Sequence, residues 1–238
     1  MPAPIRVPGP HGPIPALLAG DPARSRAGVV LGHGLGGTMQ TQWPEAQLLA
    51  AAGFATLLPE APHHGLRADG LLARMSSASG PEARACFLDL LETWAEEAGA
   101  LVDHFAALGC NRFAAAGVSM GGHLALAVPG RDPRFEAVIA FNADPVWDDR
   151  PGSPHLDLGA WRGTSLLAIT TDEDPVVPPG PLRAFTSLLN ARFGTERAVS
   201  LTYPGGHLME PRDWANAWAR VQTWLDLRFS APPGGPPP

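Results

Sequence analysis

From Ala27 onward, short apolar runs alternate with longer stretches in which apolar residues recur at helical spacing, and glycine-rich or polar turns separate the two. Six runs read as strands: Gly28–Gly32, Phe54–Leu58, Arg112–Val118, Ala137–Phe141, Ser165–Thr170 and Ala198–Tyr203. Nearly all are continuously apolar rather than alternating, which marks strands covered on both faces, as in parallel sheets. The clearest helix opens at Pro81-Glu82 and carries Phe87, Leu91, Trp94, Ala98, Leu101, Phe105 and Leu108 on one stripe. Asp89, Glu92, Glu96 and Asp103 fall off that stripe and are expected to face solvent, and Gly109 supplies the C-terminal stop. Further helices are predicted over Trp43–Ala52, Gly121–Ala127, Pro181–Arg192 and Trp214–Phe229. Strands joined by helical crossovers predict an α/β fold, a mostly parallel twisted sheet with helices on both faces. Ahead of it, Ile14–Leu18 fits an edge strand or hairpin leading into the sheet.

A chain of 238 residues, 45% hydrophobic, can bury a core without a staple, and residues 1–229 read as one domain. The tail from Ser230, SAPPGGPPP, has nothing to bury and is expected to be disordered. Net charge is −6, and the 17 basic residues, all arginine, are scattered, so no basic face attracts nucleic acid. No run approaches the ~18 apolar residues of a membrane span, and the opening MPAPIRVPGP has proline where an export signal needs an apolar helix. The expectation is a cytoplasmic protein whose partner is a small molecule. Cys86 and Cys110 sit among apolar residues and read as reduced, buried thiols. His63 and His64 are adjacent and diverge, with no third ligand at a fitting spacing, so neither metal nor cofactor is expected.

Ligands of such sheets bind at the carboxyl ends of the strands, and chemistry collects there. The run Arg112–Val118 is followed by Ser119-Met120-Gly121-Gly122 and a short helix, so residues 117–121 place a serine between glycines on a strand-turn-helix corner. Only residues without a Cβ let strand and helix approach closely enough for such a turn. The alternative is an ordinary βα turn that holds a serine by chance. A serine hydroxyl becomes a nucleophile when an imidazole takes its proton, and the imidazole needs a carboxylate to fix its tautomer. Both appear at later strand ends: Asp172, Glu173 and Asp174 after Thr171, and His207 after Tyr203-Pro204-Gly205-Gly206. Asp174, Asp172 and, at the preceding strand end, Asp144 are the candidate acids, and His207 could also be a surface loop histidine. The first strand ends in Gly32-His33-Gly34-Leu35-Gly36-Gly37, whose glycines free backbone N–H groups to face a ligand. A phosphate-binding glycine loop is the competing reading, but the spacing differs from G-x-G-x-x-G.

Together HGLGG, GVSMGG, DEDPVVPP and YPGGH resemble, in order, the motifs of the α/β-hydrolase superfamily over residues 27–228. Residues 58–67, LPEAPHHGLR, resemble the P-x-A-P-x-H-G-x-R loop of small bacterial serine esterases related to dienelactone hydrolases and prolyl-oligopeptidase-like enzymes. The resemblance implies an α/β-hydrolase fold with a minimal lid and a carboxylic-ester hydrolase with Ser119, Asp174 and His207 catalytic. It also implies an oxyanion hole made by the N–H groups of Leu35 and Met120. Dienelactone hydrolases proper use cysteine where this chain has Ser119, so lactones are not implied. Substrate contacts are expected from Met75 and Trp147, with Leu71, Leu72 and Trp161 as further candidates, and from His33, which also holds its loop by hydrogen bonds. Only about twenty residues separate Asp144 from Ser165, too few for a large lid, which favours short acyl esters; Leu66–Gly80 is read as a loop that could fold over the mouth. A thioesterase or peptidase would use the same groups, and a noncatalytic binding protein could share the fold.

Overall fold

The computed structural model describes residues 1–230; the predicted tail, apart from Ser230, lies outside the described residues. Eight strands form one sheet: β1 (Ile5–Val7), β2 (Ile14–Ala19), β3 (Gly28–Gly32), β4 (Ala55–Pro59), β5 (Phe113–Val118), β6 (Phe135–Phe141), β7 (Ser165–Thr171) and β8 (Ala198–Tyr203). Their order is β1-β2-β4-β3-β5-β6-β7-β8. The predicted N-terminal piece is a hairpin, β1 and β2 pairing antiparallel to each other and to β4, while every later pair is parallel. Strands β3, β4 and β7 are buried at every position, as continuous apolar runs require, whereas edge strand β8 alternates.

The helices are α1 (Trp43–Ala51), α2 (Leu71–Ser77), α3 (Gly80–Glu96), α4 (Ala98–Ala107), α5 (Met120–Ala127), α6 (Gly180–Phe193) and α7 (Pro211–Ser230). Alternate residues of the strands point to opposite faces, so the core divides in two. Val30 packs with α3, α4, α5 and α6 on one face, and its neighbours Val29 and Leu31 pack with α1 and α7 on the other. Among the described residues, no helix is long and apolar enough to cross a membrane.

Three sequence expectations change. The long amphipathic helix breaks at Glu97, which is fully buried because its carboxylate receives a two-pronged ion pair from Arg67 at 2.8 and 2.6 Å. Tertiary charge pairing there outweighs helical continuity. Its stripe is buried from Leu91 to Phe105, but Leu108 is exposed and Glu92 is half-buried under Arg150, 2.9 Å away. The stop at Gly109 is observed: its φ is +100°, and its N–H and that of Cys110 close back on Ala106 and Phe105 at 3.0 and 3.1 Å. Second, the segment read as a loop over 66–80 contains α2, no residue of which is buried. Third, Cys86 is half-buried; Cys110 is buried, and burial pushes its thiol up to about 11.

Candidate active site

Four strand ends build the site. At the end of β5 the backbone turns so tightly that Ser119 takes φ +53° and ψ −114°, a conformation L side chains rarely adopt. The glycines around it permit that turn. A Cβ on Gly117 would lie 2.0 Å from the Gly121 carbonyl oxygen, and one on Gly121 would lie 2.1 Å from the Gly32 carbonyl oxygen. Strand β5, helix α5 and the end of β3 thus meet at backbone contact, and the serine stands at the crossing. Its N–H donates to the Phe141 carbonyl at 2.8 Å, which ties the corner to β6.

The structure brings three of the predicted residues together. His207 Nε2 lies 3.0 Å from Ser119 Oγ, and His207 Nδ1 lies 2.7 Å from Asp174 Oδ2. Asp174 is buried, and its other oxygen accepts from the Val176 and Val177 amides at 2.8 and 2.9 Å. Three hydrogen bonds hold that carboxylate, and because it only accepts, the imidazole stands with Nδ1–H toward the acid and Nε2 toward the serine. The two alternative acids are placed elsewhere: Asp172 accepts from the Gly205 N–H at 3.0 Å, and Asp144 accepts from the Val146 N–H at 2.8 Å.

Leu35 lines the cleft, and Met120 begins α5 directly after the serine, where a helix leaves its first N–H groups without intrahelical acceptors. Leu35 sits in a turn closed by Gly37 N–H to Gly34 carbonyl at 3.0 Å, with Gly36 at φ +75°. Two buried histidines pin that turn reciprocally. His33, on the turn's own loop, accepts from the Ala61 N–H at 3.2 Å, and His64, on the loop after β4, accepts from the Gly36 N–H at 3.1 Å. Each acceptor nitrogen is freed because the other nitrogen points at a carbonyl, Gly34 for His33 and Pro62 for His64. Burial lowers the pKa of His64, so the neutral form this bonding needs prevails at neutral pH. Glu60 reinforces the clamp, accepting from the Met39 and Leu66 amides at 3.0 and 3.2 Å.

A cleft of about 1110 Å³ opens over Ser119 and His207. Met75 and Leu72 from α2 line it, as the sequence suggested. His33 and Trp147 do not. Both are buried, His33 spending its ring nitrogens on loop bonds and Trp147 packing in the core with its indole N–H on the Asp144 carbonyl at 3.0 Å. Trp161 is likewise core, edge-on to Phe185, and Leu71 does not reach the cleft. Among the described residues, no group of three or more metal-ligating side chains occurs.

Two further residues support the site, of which Asn142 escaped the sequence reading. Asn142 directly follows β6 at φ +44°, donates to the His207 carbonyl at 3.0 Å and accepts from the Thr171 N–H at 3.0 Å, so it bolts the histidine loop to β7. Its signal was a lone polar residue at the end of an apolar strand, in register with the other strand ends. His123 in α5 is buried; its Nδ1–H donates to the Ser119 carbonyl at 2.8 Å, and its Nε2 accepts from the Asp144 N–H at 3.2 Å. Burial lowers its pKa to about 4, which keeps it a neutral brace rather than a proton carrier.

Residues 29–238 match the alpha/beta hydrolase family, and the chain belongs to it. Solved structures share the fold at low identity. A Thermus thermophilus protein is 20% identical, with 94% of this chain and 98% of that one covered and a TM-score of 0.73. A cold-adapted esterase from an Arctic intertidal metagenomic library is 19% identical, covering 94% of this chain and 92% of that one, TM-score 0.70. A puromycin-hydrolyzing peptidase from Mycobacterium tuberculosis is 18% identical, covering 98% of this chain and 40% of that one, TM-score 0.75. No curated protein matches the sequence.

Proposed function

We propose that the protein is a serine hydrolase that cleaves carboxylic esters through an acyl-enzyme. The observation that carries this reading is the position of His207, one nitrogen 3.0 Å from the Ser119 hydroxyl and the other 2.7 Å from the buried Asp174. In the first half-reaction His207 Nε2 takes the Ser119 proton as Oγ attacks the ester carbonyl. The N–H groups of Leu35 and Met120 receive the developing oxyanion, a donor of this kind contributing about 3 kcal/mol to the transition state. Collapse breaks the C–O bond, and His207 returns its proton to the departing alcohol. Water then repeats the cycle on the acyl-serine and releases the acid. Asp174 holds the imidazole throughout and stabilises its transient charge.

The short connection between β6 and β7 leaves the cleft without a lid domain, and short acyl esters are the proposed substrates, with space in about 1110 Å³ for a bulkier group on the other half of the ester. Similarity to the puromycin-hydrolyzing peptidase favours amide hydrolysis as the second reading. Ser119→Ala tests the assignment. The variant should fold yet lose nearly all p-nitrophenyl acetate hydrolysis and all labelling by a fluorophosphonate probe. Full activity in that variant overturns it.

A further inference from the structure

The polar side chains facing the cleft are mostly spent. His123 uses both ring nitrogens inside the protein, at 2.8 and 3.2 Å. Arg84 closes its guanidinium on Asp148, Nε and Nη2 each 2.9 Å from a carboxylate oxygen, so its charge is already matched. Asp144 differs. It lines the cleft with Ser119, is half-buried, and among the described residues has no ion-pair partner. One oxygen accepts from the Val146 N–H at 2.8 Å, forming a side-chain turn that an uncharged asparagine would form equally well. The negative charge is therefore surplus to local structure. Burial raises the pKa of this carboxyl despite Arg84 and His155 nearby, the behaviour of a carboxylate short of partners. His155 does not reach it, its Nδ1 lying 2.7 Å from Ser153 Oγ.

The carboxylate is also held rigidly. Its residue's N–H is fixed by His123 at 3.2 Å, and its carbonyl by the Trp147 indole at 3.0 Å. A half-buried, immobile carboxylate in the same cleft as the reacting serine is an anchor that a ligand of opposite charge can complete. Apolar Leu72, Met75 and Phe87 line the same cleft and suit alkyl groups. An anionic substrate group would have to displace Asp148 from Arg84, whereas a cation meets an oxygen already free.

We propose that Asp144 determines specificity for esters bearing a cationic group, an alkylammonium or protonated amine, seated against its carboxylate. This rests on the acyl-transfer reading of Ser119. The test compares kcat/KM within two isosteric pairs: choline butyrate against 3,3-dimethylbutyl butyrate, and methyl 4-(trimethylammonio)butanoate against its tert-butyl carbon analogue. In at least one pair the wild type should favour the cation by about tenfold or more, a typical size for a charge-assisted contact. Asp144→Asn, which keeps the side-chain turn, should bring that ratio to within about twofold of unity, and a ratio is insensitive to the fraction of enzyme folded. Wild-type ratios near unity in both pairs, or a preference that survives Asp144→Asn, overturn the proposal. An enzyme that takes fluorophosphonate on Ser119 but leaves both cationic esters intact overturns it alone. Failure of labelling together with failure on all four esters removes the acyl-transfer reading and this inference with it.

Discussion

His64 lies outside the hydroxyl-imidazole-carboxylate line, and on the proposed acyl-transfer reading it positions the loop whose Leu35 N–H would receive the oxyanion. Its Nε2 accepts the Gly36 N–H at 3.1 Å, and Gly36 is the left-handed corner, φ +75°, of the turn that carries Leu35. His64→Ala removes that acceptor and the bond to the Pro62 carbonyl at 2.8 Å, and it empties the space of a buried ring. Two lost hydrogen bonds and a partly collapsed cavity cost about 2–4 kcal/mol, so a lowered but measurable melting temperature is expected. The kinetic effect is bounded from above by deletion of one oxyanion donor, about 10²–10³ in kcat. The variant does not delete the Leu35 N–H but lets its turn relax, so the expected loss is about tenfold to a hundredfold in kcat, with KM within about twofold. His64→Gln places an acceptor oxygen near the position of Nε2 and should restore most of the lost rate. The assay is p-nitrophenyl ester hydrolysis at a temperature where melts show each variant folded. A folded His64→Ala enzyme with unchanged kcat would refute the argument. So would a glutamine variant no faster than alanine, because the acceptor would then not be what matters.

Two further outcomes follow from the packing. Gly117→Ala puts a Cβ 2.0 Å from the Gly121 carbonyl oxygen, a backbone clash with nothing flexible to move, so the variant should be insoluble or should lose Ser119 labelling; normal expression with full labelling would contradict the close approach. The pH dependence has a definite sign. Burial holds the His123 pKa at about 4 against an ordinary 6.5, so its stabilising contribution is complete above pH 6.5 and disappears as pH falls toward 4. By pH 5 this one group should have removed about 2 kcal/mol of unfolding free energy, and urea midpoints that stay level between pH 7.5 and 5 would speak against a neutral buried imidazole there.

Much of the site could be read in advance because its logic is carried by order and type. Ser119, Asp174 and His207 each follow an apolar run, and a parallel sheet gathers the ends of such runs along one edge whatever the details of packing. The glycines at 117 and 121 were legible for a similar reason, since a missing Cβ speaks directly about close backbone approach. The errors fall where residue type is silent about direction. Trp147 and His33 lie near the site in sequence and have chemistry that suits a ligand, yet both turn inward, and only the packed interior makes that choice. Glu97 sat on a helix that looked unbroken until Arg67, 30 residues away, drew it into the core. Asn142 supports a histidine 65 residues distant, a relation no local pattern can encode.

The sequence alone set the alternation of strand and helix, the tight corner that presents Ser119, and the three strand ends where an acid and a base could stand, because hydrophobic periodicity and glycine placement act over a few residues. Folding in three dimensions decided which of three aspartates faces His207, which histidines clamp the loop around Leu35, and that Asp144 lines the cleft with, among the described residues, no ion-pair partner. Those outcomes depend on distances between segments far apart along the chain and on how much water each side chain loses, quantities that exist only once the sheet has assembled and the core has closed around it.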